Sequence, residues 1–154
     1  MKHVRVILYL GLASVCLVAN GCWSDRAFTE LEDGLKASNA GDYQNAITSF
    51  TTVIRLEPGH AEAHYYRGLA RYQIGLHEEA IKDYSKAILI QPTFPEAYLN
   101  RGLARHRLGD YQSAIEDMEK AIQLNPRDGN AYLSREQMEA DGREQGIGPE
   151  PNED

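Results

Sequence analysis

Glycines recur every 34 residues in this chain: Gly34, Gly68 and Gly102 form one series, and Gly41, Gly75 and Gly109 another. Ala46, Ala80 and Ala114 keep the same interval, as do Pro58, Pro92 and Pro126. Aligned on that period, residues 61–94 and 95–128 agree at 15 of 34 positions, and residues 27–60 agree with 61–94 at eight, which composition bias does not produce. A fixed period of this length restricts the fold to a solenoid, a propeller or an array, in which one supersecondary unit is stacked on copies of itself.

The punctuation inside the unit selects helices. In residues 61–94, Tyr65, Gly68, Leu69 and Tyr72 stand at helical spacing and end at Gly75, a residue suited to the left-handed turn after a helix. A second run, Ala80, Ile81, Tyr84, Ala87 and Ile88, ends at Pro92. Each unit is therefore a helix hairpin. Small residues at Gly68 and Ala80 are expected to let the two helices cross closely, and Ala87 to do the same against the next unit.

The run Gly102, Leu108-Gly109, Tyr111, Ala114-Ile115, Ala121-Ile122, Leu124 and Pro126 resembles the tetratricopeptide repeat. The resemblance covers residues 27–60, 61–94 and 95–128 and implies an all-α fold, a right-handed α-solenoid of three helix hairpins. The first unit departs most, with Glu30 where the family has an aromatic residue and Val53 where it has Ala, as terminal repeats often do. Residues 129–140, with Ala131, Tyr132 and Met138 among charged residues, read as a capping helix, and residues 141–154 as a flexible acidic tail.

Outside the repeats, the N-terminus reads as an export signal. Met1-Lys2-His3-Val4-Arg5 is a short basic leader and residues 6–19 form an uncharged apolar run, shorter than the roughly 20 residues that span a bilayer comfortably. Ala19-Asn20-Gly21-Cys22 resembles a bacterial lipobox, although that family prefers Leu where Ala19 stands. The resemblance implies removal of residues 1–21 and lipid attachment at Cys22; ordinary cleavage with a free thiol and a retained anchor are the alternatives. Residues 22–26 would then tether the first helix close to the membrane, on the periplasmic or surface side of a bacterial envelope. Cys16 is most simply a small hydrophobe of the signal.

Charge excludes other classes. A formal charge of −7 argues against a nucleic-acid partner, which needs surplus cations. Residues 61–128 hold nine basic and ten acidic side chains, as a solvated helical surface does.

The family resemblance places a concave partner-binding groove on the first helix of each unit. It falls on Phe28, Leu31, Leu35, Ser38 and Asn39, then Glu62, Tyr65, Leu69, Tyr72 and Gln73, then Glu96, Leu99, Leu103, His106 and Arg107. Some members grip a terminal carboxylate with Lys and Asn, but here Asn100 is the single counterpart, and no such clamp is expected. Tyr65 and Tyr72 suit either ligand anchoring or packing between repeats. Arg67 and Arg101 accompany Asp83 and Asp117 at a spacing of 16, whereas the first unit has Asp33 and Ser49, which points to a salt bridge within the unit. Arg71 and Arg105 are expected to be solvated. His106 and Arg107 replace Tyr72 and Gln73 of the preceding unit and are the candidates for specificity.

Catalysis finds little support. In His60-Ala-Glu-Ala-His64 the Glu falls off the face shared by residues four apart, and Phe94 and Tyr98 stand at the equivalent places, so packing explains both histidines better than a metal. No nucleophile elbow or phosphate loop appears, so neither enzyme activity nor a cofactor is expected. The expected function is an adaptor of the bacterial cell envelope that binds a segment of another protein in the groove. The alternatives are a self-associating structural protein and an accessory subunit of an envelope enzyme or of a pilus or secretion assembly.

Overall fold

The computed structural model describes residues 25–146, and all of its regular structure is helical. Helix α1 covers residues 25–39, followed by α2 (Tyr43–Leu56), α3 (Ala61–Gln73), α4 (His77–Ile90), α5 (Pro95–Arg107), α6 (Tyr111–Leu124) and α7 (Gly129–Glu144). The segment read as an export signal, with Cys22 as the expected lipid site, lies outside the described residues. No helix among them is long and apolar enough to cross a membrane.

Local signals set the boundaries where the sequence puts them. Gly41, Gly75 and Gly109 end the first helix of each hairpin with φ of 77°, 81° and 79°, a region L side chains rarely enter. Asp42, Asp110 and Asp128 cap α2, α6 and α7 by accepting a backbone N–H from the first turn, and His60 does the same for α3 through Nδ1. Helix α5 has no side-chain cap and starts instead with Pro95, whose missing N–H costs nothing there.

Successive helices pack in chain order, and the first helices also touch one another, α3 against α5 and α5 against α7. The result is a solenoid whose core repeats along its length. Phe50 packs with Ala46 and with Ala70 of the next unit, Tyr84 with Ala80 and Ala104, and Met118 with Ala114 and Met138. Val53 likewise packs against Ala63 across the first boundary.

In the first two hairpins the close crossing differs from the expected Gly–Ala contact, whereas in the third a Cβ at Gly102 would also meet the Ala114 carbonyl oxygen at 3.0 Å. A Cβ added at Gly34 would lie 2.6 Å from the Phe50 ring, at Gly68 2.8 Å from the Tyr84 ring, and at Gly102 2.7 Å from Met118 Cε. Each glycine thus seats the largest core side chain of its own unit, one helical turn beyond the alanine, because the second helix is rotated to aim that side chain at the gap. The closing helix also runs further than residue 140. It continues to Glu144 because Gly142 is buried and the left-handed turn comes only at Gly146, φ 73°.

Candidate functional site

Of the predicted groove residues, Tyr72, Leu103, His106 and Arg107 come together at the α7 end of the array. They line a pocket of about 330 Å³ whose other wall is Leu133, Ser134, Gln137 and Met138 of α7. The α7 residues were missed by the repeat reading, which treated that helix as a cover. Its register continues the period, however: Ala131, Arg135 and Met138 stand 34 residues after Ala97, Arg101 and Ala104. Glu136, in place of the glycine, is exposed, so α7 is a first helix without the gap that would seat a second.

The other predicted groove residues do not line this pocket. Leu69 and Tyr65 pack against the Tyr84 core and Leu99 against the Met118 core, while Gln73 is exposed. In the first unit, Phe28 and Leu31 border a smaller hollow with Ala27, Glu57 and His60, and Phe28 is exposed.

A ladder of polar contacts ties α3 to α5 and α5 to α7. Asn100 donates its amide to Tyr65 Oη at 3.1 Å and to Glu96 O at 2.9 Å. Arg107 Nε donates to Tyr72 Oη at 3.3 Å, and His106 Nε2 lies 2.7 Å from Asp141 Oδ2. Burial, with smaller effects from Glu96 and Tyr66, pushes the Tyr65 hydroxyl up to about 12, so it stays protonated. The His106 hydrogen bond, aided by Gln137, holds the Asp141 carboxyl below the ordinary carboxylate range. These side chains therefore bridge neighbouring first helices, α3 to α5 and α5 to α7.

The expected pairing of Arg67 and Arg101 is present, and it is larger than expected. Arg67 donates through Nε and Nη2 to both oxygens of Asp83 at 2.9 and 2.7 Å, and Arg101 grips Asp117 at the same distances. Arg71 and Arg105, which were expected to be solvated, bind the same carboxylates at 2.7 Å. Both aspartates are buried and a single arginine leaves lone pairs unsatisfied, so a second donor is drawn in. Burial opposes the charged form of Asp83. The His64 ring 3.9 Å away and the Arg67 and Arg71 guanidiniums outweigh it and hold the carboxyl below its usual range. Arg67 and Arg101 each reach back to a hydroxyl of the preceding unit as well, Thr51 at 3.2 Å and Ser85 at 3.1 Å.

Both histidines of His60-Ala-Glu-Ala-His64 have structural contacts: His60 caps α3, and His64 is buried with Nε2 3.3 Å from Pro58 O. Tyr98, in the place of His64, lies under the Arg101 guanidinium at 5.4 Å. Among the described residues, no group of three or more His, Cys, Asp or Glu is placed to hold a metal ion.

A solenoid of helix hairpins with a lined inner face is the architecture of repeat proteins that hold other chains. Residues 68–109 match the TPR repeat model and residues 95–128 the tetratricopeptide repeat model, so residues 68–128 carry tetratricopeptide repeats. Among solved structures it is similar to the TPR domain of Arabidopsis OM64, with 26% identity over 76% of this chain and 97% of that one and a TM-score of 0.74. It is also similar to the second TPR domain of human RPAP3 in complex with the HSP70 peptide SGPTIEEVD, with 29% identity over 75% and 97% and a TM-score of 0.73. The TPR2B domain of yeast Sti1, in a complex with Hsp70, shares 25% identity over 78% and 98%, TM-score 0.69. No curated protein matches the sequence.

Proposed function

We propose that this chain is a non-enzymatic adaptor of a bacterial envelope, carried on a membrane by lipid at Cys22, that holds a segment of another protein in its concave groove. The observation that carries the reading is the pocket at the α5–α7 end, where Tyr72, Leu103 and Arg107 meet a wall that includes Leu133, 67% exposed. An open pocket with apolar walls and a few polar groups is what peptide recognition uses. The similarity to TPR domains solved with bound HSP70 peptides supports the class of partner, and the sequence at residues 1–22 supports the location.

In-cell crosslinking with mass spectrometry tests it. The intact chain should capture envelope proteins, and a Tyr72→Ala, Arg107→Glu double variant with unchanged helical circular dichroism should lose them. Recovery of the same proteins by both forms would sink the groove reading. A second reading, self-association, is favoured by one observation: α7 is a first helix with no second helix packed on it among the described residues. Sedimentation that shows a dimer indifferent to the double variant would favour it.

A further inference from the structure

The pocket at the end of the groove has a charge character that the rest of α3 and α5 lacks. The other arginines of α3 and α5 are spent: Arg67 and Arg71 on Asp83, Arg101 and Arg105 on Asp117. His106 is paired with Asp141 at 2.7 Å. Arg107 is exposed, and its polar partner among the described residues is the neutral Tyr72 hydroxyl. It therefore offers four remaining N–H groups and an uncompensated positive charge beside apolar walls at Leu103, Leu133 and Met138.

The size of the pocket limits what enters. A volume of about 330 Å³ lies at the small end of ligand sites, which run from about 300 to 1,000 Å³, and suits one or two side chains with their backbone. Farther along the same helix, Glu96 is exposed and has no cationic partner among the described residues. It precedes Arg107 by 11 residues, roughly 16 Å at about 1.5 Å per helical residue. An extended chain covers that span in about five residues at roughly 3.3 Å each.

We propose, resting on the groove reading above, that the pocket takes an internal segment of a partner protein in which an aliphatic side chain stands beside an aspartate or glutamate. The aliphatic group enters between α5 and α7, and the carboxylate pairs with Arg107 in the two-pronged geometry a guanidinium favours. A basic residue about five positions away meets Glu96 and fixes the direction of the segment. The carboxylate belongs to a side chain and not to a chain terminus. Asn100, the amide side chain of α5, is already committed to Tyr65 and to its own helix, and the Gln137 amide to Asp141, which leaves one guanidinium to do the holding.

The test uses the detergent-solubilised full chain and fluorescent peptides of about 12 residues, acetylated and amidated, that carry Leu or Ile beside Glu with Lys at varied spacing. Fluorescence polarisation should rank the Leu–Glu peptides with Lys about five residues away highest. Leu133→Ser should weaken them by about tenfold, and Arg107→Glu should reverse the preference toward peptides with Lys in place of Glu. Both side chains are exposed, so both variants should keep their helical circular dichroism. Binding that ignores peptide charge and is unmoved by Arg107→Glu overturns the inference and leaves the groove reading standing. So does a preference for free C-terminal carboxylates, or binding that appears only after residues 147–154 are removed, which would give the pocket to the chain's own acidic tail. If the whole set fails to bind and crosslinking in cells is indifferent to the groove variants, both fall.

Discussion

Replacing Gly68 with alanine tests the helix crossing on which the solenoid rests. The new Cβ would stand 2.8, 2.9 and 3.2 Å from three atoms of the Tyr84 ring, and that ring is fully buried between Ala80 and Ala104, so it has nowhere to swing. Overpacking of this kind costs about 1–3 kcal/mol, here toward the upper half because a rigid ring must move. Alanine's better helix propensity returns about 0.8–1.0 kcal/mol. The net expectation is a loss of about 1–2 kcal/mol, seen as a melting temperature lower by about 4 °C per kcal/mol in a domain of this size. Gly102→Ala should cost less, since its nearest obstacle is the flexible end of Met118, though the Ala114 carbonyl at 3.0 Å limits the relief. A Tyr84→Met background should remove most of the Gly68→Ala penalty, as a cycle of single and double variants would report. A Gly68→Ala protein as stable as the parent, or more so, would refute the close approach.

Other consequences follow from the buried groups. Asp83→Asn leaves Arg67 and Arg71 without their charge partner and should cost about 2–3 kcal/mol by urea denaturation, somewhat below the ~3–5 of fully buried pairs because both arginines are partly exposed. A cost within ~0.5 kcal/mol would reduce the cluster to a surface contact. Because the folded Asp83 carboxyl lies below its unfolded value of 3.8, its stabilisation is fully present above about pH 4 and fades as pH falls through the lower folded value. The urea midpoint should therefore hold from pH 7 to 5 and drop in stronger acid, less steeply in Asp83→Asn; identical acid profiles would contradict this assignment. The Tyr84 hydroxyl is buried and finds no partner among the described residues, so Tyr84→Phe should stabilise by up to about 1 kcal/mol. A loss above that in thermal melts would mean a water or another group satisfies it.

Much of the fold was legible because a solenoid writes its structure into the sequence repeatedly. Glycine at the left-handed turns and proline after the second helices are local requirements, so they recur wherever the unit does. The Arg67–Asp83 contact could be read because the first unit lacks both partners at once. The same signal extended to Arg71 and Arg105, since Ala37 stands at their place in that unit, beside Ser49 at the place of the acid. The partner of Gly68 was not legible: spacing assigns a residue to a helix face but does not give the rotation of one helix against another. The α7 side of the pocket was obscured because Glu136 interrupts the repeat there, leaving Ala131, Arg135 and Met138 as scattered echoes. The ladder of Tyr65 with Asn100 and Tyr72 with Arg107 joins neighbouring units through side chains that differ from one repeat to the next, so periodicity carries no trace of it.

If the groove reading is right, the end of the array beside α7 meets another protein. A photo-crosslinking amino acid placed at Leu133, on that surface, and at Leu89, equally exposed on the second helix α4, compares the two faces of the same folded chain in cells. A discrete adduct with another protein is expected from position 133 and none from position 89. Adducts with the chain itself alone, or the same partner from both positions, would contradict it.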